Sequence, residues 1–141
     1  MTNHLIAKVS VIINAPVSKV WEVLTDPGQS DRYMSQEQTA TDWKKGSPIA
    51  YTGKWEGSTE EDKGMIVDVV PEKMLHTTWF SFLSGQEDKP ENYVHVIYEV
   101  SPENGRTLMT ITQDHIGNQG ELHHMEQAWG TVLAGMKNRI E

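Results

Sequence analysis

The chain has 141 residues, enough for one domain whose buried core needs neither a disulfide nor a structural metal. It contains no cysteine, which excludes a disulfide framework, a thiolate metal site and a cysteine nucleophile. The formal net charge is −8 and no basic cluster offsets it, so the composition argues against a nucleic-acid partner.

The first predicted elements are a strand and two short helices. Leu5 to Asn14 is rich in alternating β-branched residues, which predicts a strand. From Pro16 to Leu24 apolar residues recur at helical spacing, and proline suits a first helical turn. A second short helix is predicted over Ser30 to Met34. No signal sequence or membrane-spanning run is evident, so we expect a cytoplasmic protein without integral membrane association.

The middle of the chain carries strand patterns separated by turns. The predicted strands are Thr39–Trp43, Ile49–Trp55, Lys63–Val70, Met74–Leu83, Tyr93–Val100 and Thr107–Asp114. Polar loops are predicted at Glu56–Asp62 and Ser84–Glu91, and either would serve as a mobile lid. The pair Asn104-Gly105 predicts a hairpin turn.

The last segment predicts an amphipathic helix of about 20 residues, about 30 Å long, with Asn118 as its N-cap. Its apolar stripe, at steps of three and four, consists of Leu122, Met125, Trp129, Leu133, Met136 and Ile140.

This element order predicts an α+β fold in a single domain over residues 1–141. A curved antiparallel sheet of about seven strands would wrap on the long C-terminal helix, with two short helices after the first strand. A strongly twisted sheet curls, and one helix does not fill the resulting concavity. The remaining volume would hold a ligand, and a solidly packed core is the alternative.

Three segments have the order and spacing of a known superfamily. The first has Ala15-Pro16, then Val20-Trp21, then Thr25-Asp26-Pro27; the second has Pro71, Leu75 and Trp79; the third is the closing helix "AWGTVLAGMKNRIE". Together they resemble the START-like, or SRPBCC, superfamily of the Bet v-type helix-grip fold. The segment "GRTLMTITQDHIG" resembles the branch named for the C-terminal domain of Aha-type activators of the heat-shock chaperone ATPase.

The resemblance implies a helix-grip fold that binds a small apolar ligand, such as a lipid, a polyketide or a flavonoid-like aromatic. It also implies two alternatives, an enzyme of the polyketide cyclase or aromatase type and a co-factor domain with a chaperone as its partner. Many relatives have a histidine near the position of Gln113, so we carry over no catalytic role for a histidine.

Large apolar side chains point to the interior. Several fall at the predicted concave parity of successive strands, and others on the helix face that would meet them. Core packing explains any one of them, but the set favours a pocket. Tyr51 is the best placed polar group for the enzymatic alternative. The predicted ligand-binding residues are Tyr51, Trp55, Met65, Trp79, Met109, Trp129, Leu133 and Met136.

The histidines show no metal-ligand spacing. His123 and His124 point about 100° apart on a helix, and His76 and His95 fall on strands that could be neighbours, with their side chains on the outer face. We therefore predict no metal, no cofactor and no catalytic residue.

Overall fold

The computed structural model describes residues 5–25, 38–40, 44–55, 58–80 and 87–141. The predicted helix over Ser30–Met34 lies outside these residues. The helices are Val17–Leu24 (α1) and Gln119–Ile140 (α2), and a 3-10 turn spans Pro90–Asn92. The strands are Leu5–Ile13 (β1), Gln38–Ala40 (β2), Pro48–Trp55 (β3), Ser58–Val70 (β4), Met74–Trp79 (β5), Val94–Glu103 (β6) and Arg106–Ile116 (β7).

The strands pair antiparallel in the order β1-β7-β6-β5-β4-β3-β2. Five of them, from β1 to β4 in that order, form the face on which the buried core and α2 lie. The predicted α+β class, with an antiparallel sheet and a long C-terminal helix, is confirmed. No helix among the described residues is long and apolar enough to span a membrane.

The β6–β7 hairpin fixes which residues share the inner face. Asn104 and Gly105 have φ angles of 51° and 81°, as the tight turn predicted for an Asn-Gly pair requires. The resulting register places Tyr98 opposite Ile111 and Val96 opposite Gln113. All four of these cross-strand partners are buried, so their side chains point toward the helices.

The prediction of a polar loop over Glu56–Asp62 is wrong. Strand β4 begins at Ser58, which is the register partner of Trp55, so only residues 56 and 57 separate β3 from β4. Polar composition alone does not end a strand when a partner strand supplies the hydrogen bonds, and here β3 does so. Residues 58–62 therefore belong to the sheet and do not form the polar loop from which we expected a lid.

The predicted alternation of inward and outward side chains along Lys63–Val70 is also wrong. A register shift between Ile66 and Asp68 interrupts the pairing of β4 with β5, and a β-bulge of this kind changes which side chains face the core. Ile66 is fully buried, whereas Met65 is 44% exposed on the outer face.

Helix α2 begins at its predicted cap, because the Asn118 side chain accepts a hydrogen bond from the Glu121 N–H at 2.8 Å. Its last turn is tied to the end of β1. Lys137 Nζ donates to the Ile12 carbonyl at 3.0 Å, and the Asn14 N–H donates to Glu141 Oε2 at 3.0 Å. The helix contacts β1 more than any other strand.

Burial differs between the two ends of the sheet–helix interface. At the end near the last turns of α2, which we call the closed end, Ile13, Leu75, Met109, Leu133 and Met136 are at most 2% exposed. At the other end, near the first turns of α2, Ile116 is fully buried, but a group of larger apolar surfaces on the strands and the helix is only half-buried. We call this the open end; its half-buried apolar residues are Trp79, Val94, Leu122, Met125 and Trp129.

Candidate functional site

A row of cross-strand partners crosses the inner face at the open end. Thr77 of β5 pairs with Val96 of β6, which pairs with Gln113 of β7, which pairs with Ala7 of β1. All four are at most 6% exposed. Gln113 is the notable member, because a buried side-chain amide is costly unless its hydrogen-bonding groups are satisfied.

Trp129 of α2 supplies a hydrogen-bond donor for the oxygen of that amide. The indole Nε1–H donates to Gln113 Oε1 at 2.6 Å. An indole N–H has no acceptor capacity, so the amide atom that faces it must be the oxygen. The contact therefore fixes the orientation of the Gln113 amide and directs its Nε2, with two N–H donors, away from Trp129.

Trp129 also contacts a second aromatic ring. Trp129 meets Tyr98 edge to face, with ring centroids 6.1 Å apart and an interplanar angle of 85°, a favourable geometry for aromatic pairs. Trp79 lies directly opposite Val94 at the neighbouring end of β5. Trp79, Val94 and Trp129 pack against the core but are only partly buried. The open end thus presents accessible apolar surface beside a buried polar group.

The predicted ligand-binding residues fall into four groups. Trp79 and Trp129 both lie at the open end and are partly buried, whereas Met109, Leu133 and Met136 are fully packed in the closed end. The side chains of Tyr51 and Trp55 lie outside those that the structure describes. The inward orientation predicted for Met65 is wrong, because the bulge in β4 turns it to the outer face.

A histidine cluster occupies the outer face of the sheet, behind the open end. His76 and His95 are joined by a 2.9 Å hydrogen bond between Nε2 and Nδ1, so the expected proximity of their strands is confirmed. Burial, followed by the nearby His95, lowers the pKa of His76. In the described part of the chain, no group of three or more histidine and acidic side chains could hold a metal ion.

His115 continues this cluster at the end of β7. Its ring nitrogens bond to Asp114 Oδ1 and to the Glu91 carbonyl, both at 2.8 Å. Burial alone would lower the pKa of His115, but the bonds to Asp114 and Glu91 outweigh it and raise the pKa above its ordinary value. His115 adopts a φ of 60°, in the left-handed region, which these bonds hold in place.

A groove of about 540 Å³ lies on the same outer face, with Met65, Val67 and His95 among its lining residues. Its charged groups pair with one another. Asp88 bonds to both Lys63 and Tyr93, and the bond to Lys63 lowers the pKa of Asp88. The open end differs, since its buried polar side chain is the uncharged amide of Gln113 and half-buried apolar residues lie near it.

Sequence reasoning missed Gln113 and Tyr98 as parts of the site. The signal for Gln113 is its parity, which it shares along β7 with Thr107, Met109 and Ile111. A polar side chain in step with buried neighbours is expected to be buried, and a buried amide implies a specific partner. The helical spacing alone predicts that Trp129 faces the sheet, because Trp129 lies on the apolar stripe of α2.

Known proteins have the same fold as this chain. The family model of activator of Hsp90 ATPase homolog 1-like proteins matches residues 14–141. The solution structure of ChR145 from Cytophaga hutchinsonii is 39% identical, with a TM-score of 0.84, and the match covers 94% of this chain and 91% of that one. No curated protein is significantly similar in sequence.

Two more distant solved structures share the fold. CalU16 from Micromonospora echinospora is 20% identical with a TM-score of 0.70, over 100% of this chain and 87% of that one. The Aha1 dimer from Colwellia psychrerythraea is 14% identical with a TM-score of 0.75, over 97% and 96%. At such identities the likeness extends to the fold alone.

Proposed function

Since the chain belongs to the family of activator of Hsp90 ATPase homolog 1-like proteins, we propose that it binds a small apolar ligand between sheet and helix, at the open end. The ligand would be a lipid, a polyketide or a flavonoid-like aromatic. Trp79 and Trp129 would contact it, and the packed Met109, Leu133 and Met136 would limit how deep it enters. The cytosol is the compartment that we propose for this activity.

The observation that carries this proposal is the difference in burial along α2. Leu122, Met125 and Trp129 of the apolar stripe are half-buried, whereas Leu133 and Met136, farther along the stripe, are fully buried. Ile140, in the last turn, is half-buried again. Apolar surface that stays accessible at an interior face is stabilised by an apolar ligand, at about 25 cal/mol per Å² covered. Large aromatic rings with a few placed polar groups are the usual lining of such sites.

The enzymatic alternative has less support. A cyclase needs a group that gives or takes a proton at the reacting atom. Among the described residues of the open end, the buried side chains with polar groups are those of Thr77, Tyr98 and Gln113, and none of them is a carboxylate or a histidine. For the chaperone co-factor alternative, no feature of the described residues speaks in its favour, and the family description alone is its basis.

A titration with a flavonoid followed by NMR tests the proposed site. Naringenin is added to ¹⁵N-labelled protein, and the indole N–H signals are followed. We expect the signals of Trp79 and Trp129 to shift on binding. The built-in control is Trp21 of α1, which lies in a groove beside Lys44, Val69 and Pro71 near the closed end, and whose signal should stay in place.

A fatty acid, oleate, is titrated in parallel to distinguish the ligand classes. Absence of any shift with either compound up to its solubility limit would contradict the proposed function. Shifts at Trp21 without shifts at Trp129 would place binding elsewhere and would contradict the proposed site.

A further inference from the structure

We propose that the ligand carries a carbonyl oxygen in its apolar body, and that this oxygen accepts a hydrogen bond from Nε2 of Gln113. This inference rests on the proposed function and names the chemical class that the same site selects. It favours ring ketones of the polyketide or flavonoid type over ligands that are hydrocarbon throughout the buried part.

The contact with Trp129 fixes the orientation of the Gln113 amide. The Trp129 Nε1–H can only donate, so it engages Gln113 Oε1 and leaves Nε2 as the free branch of the planar amide. Ordinarily the two branches of a glutamine amide are hard to tell apart. Here the chemistry of the indole decides between them.

The Nε2 group of Gln113 has no acceptor in the part of the chain that the structure describes. No described residue accepts a hydrogen bond from it, although Gln113 is only 6% exposed. Buried side-chain donors are nearly always paired in native proteins, and an unpaired one destabilises the folded state. An acceptor brought in by a ligand would remove that cost, so the amide favours ligands that supply one.

The charge of the open end favours a neutral acceptor over an anionic one. None of the described residues of the open end is cationic: the row and its neighbours are Thr77, Trp79, Val94, Val96, Tyr98, Gln113, Leu122, Met125 and Trp129. An anionic acceptor such as a carboxylate would be buried there without a counter-ion, which costs far more than burying a neutral group. The net charge of −8 adds to this penalty. A neutral carbonyl is therefore the acceptor that fits.

The test uses two probes, 1-tetralone and tetralin, which differ only by a ring carbonyl in place of a methylene. Dissociation constants are measured by NMR for the wild type and for Gln113→Met, which keeps the side-chain volume and removes the donors. The readout is the ratio of the two constants, because the different hydration of the probes is common to both proteins and cancels.

We expect Gln113→Met to weaken 1-tetralone about five- to tenfold relative to tetralin, which is the range expected when one hydrogen bond is lost. Gln127→Met is the matched control, since Gln127 is an exposed glutamine on the same helix as Trp129, and it should leave the ratio unchanged. Equal ratios in wild type and Gln113→Met, with both probes bound, would overturn this inference and leave the proposed function standing.

A second readout does not depend on the variant's folding. In the wild type, the side-chain amide signals of Gln113 should shift with 1-tetralone and much less with tetralin. If the two probes shift these signals equally, the inference is wrong. If neither 1-tetralone nor tetralin binds up to its solubility limit, this inference is wrong, whereas the proposed function is decided by the titrations with naringenin and oleate.

Discussion

Gly64 shows how tightly single positions are constrained in this sheet. It lies in β4 opposite Ile49 of β3, and a Cβ built on it would come within 1.8 Å of the Thr78 carbonyl oxygen. The close approach is held by a hydrogen bond from the Met65 N–H to Thr78 Oγ1 at 3.0 Å. Only glycine fits here without moving backbone.

We predict that Gly64→Ala destabilises the protein by about 1–3 kcal/mol, the usual cost of overpacking. The matched control is Gly130→Ala in the interior of α2, where a Cβ meets nothing within 4 Å. There alanine should stabilise by about 0.5–1 kcal/mol, because it favours helix. Urea unfolding measures both changes, and a Gly64→Ala protein as stable as the wild type would contradict the steric argument.

The amide of Gln113 shows which property of a single residue the sequence predicts and which it does not. Its parity along β7 predicts that it is buried. Its partner, Trp129, is 16 residues away, on an element whose rotation about its axis depends on the packing of both helices. Pairing of this kind depends on the assembled fold, so sequence patterns do not predict it.

Elements of regular pattern are predictable, and those with a local irregularity are not. The helix α2 and the β6–β7 hairpin carry their own signals, an apolar stripe with a capping residue and an Asn-Gly turn. Strand β4 contains a bulge, which needs no distinctive residue and reverses the faces beyond it. Its first five residues are polar, and they form a strand because β3 lies beside them.

The cap of α2 gives a prediction for that element. Asn118→Ala removes the acceptor for the Glu121 N–H and should destabilise the protein by about 1 kcal/mol. Asn138→Ala, at an exposed position near the other end of the helix, serves as control and should change stability by at most about 0.5 kcal/mol. Thermal unfolding compares the two; equal effects would show that the capping bond contributes nothing specific.

For the whole molecule, the structure implies an uneven distribution of stability. Met136 is fully buried at the closed end, whereas Met125 is half-buried at the open end. Met136→Ala should therefore destabilise the protein by about 2–5 kcal/mol, and Met125→Ala by less than half as much. Both substitutions remove the same atoms from the same helix. The difference between their free energies of unfolding in urea therefore reports how the packing differs between the two positions.

Equal losses of stability in the two methionine variants would mean that the sheet–helix interface is packed equally tightly at both ends. An uneven result would agree with a protein that keeps one end rigid and leaves the other adaptable. Ligand sites are commonly drawn from the less stable parts of a structure.

The pairing of β1 with β7 has a consequence for how the protein is made. The hydroxyls of Ser10 and Thr110 share a 3.0 Å hydrogen bond although they are 100 positions apart in the chain. At about 5–20 residues per second, a ribosome needs about 5–20 seconds to reach the partner of β1. Throughout that interval the most β-branched strand of the protein is an unpaired edge, open to pairing with another nascent chain. Slower translation prolongs this interval, during which β1 has no partner strand from its own chain.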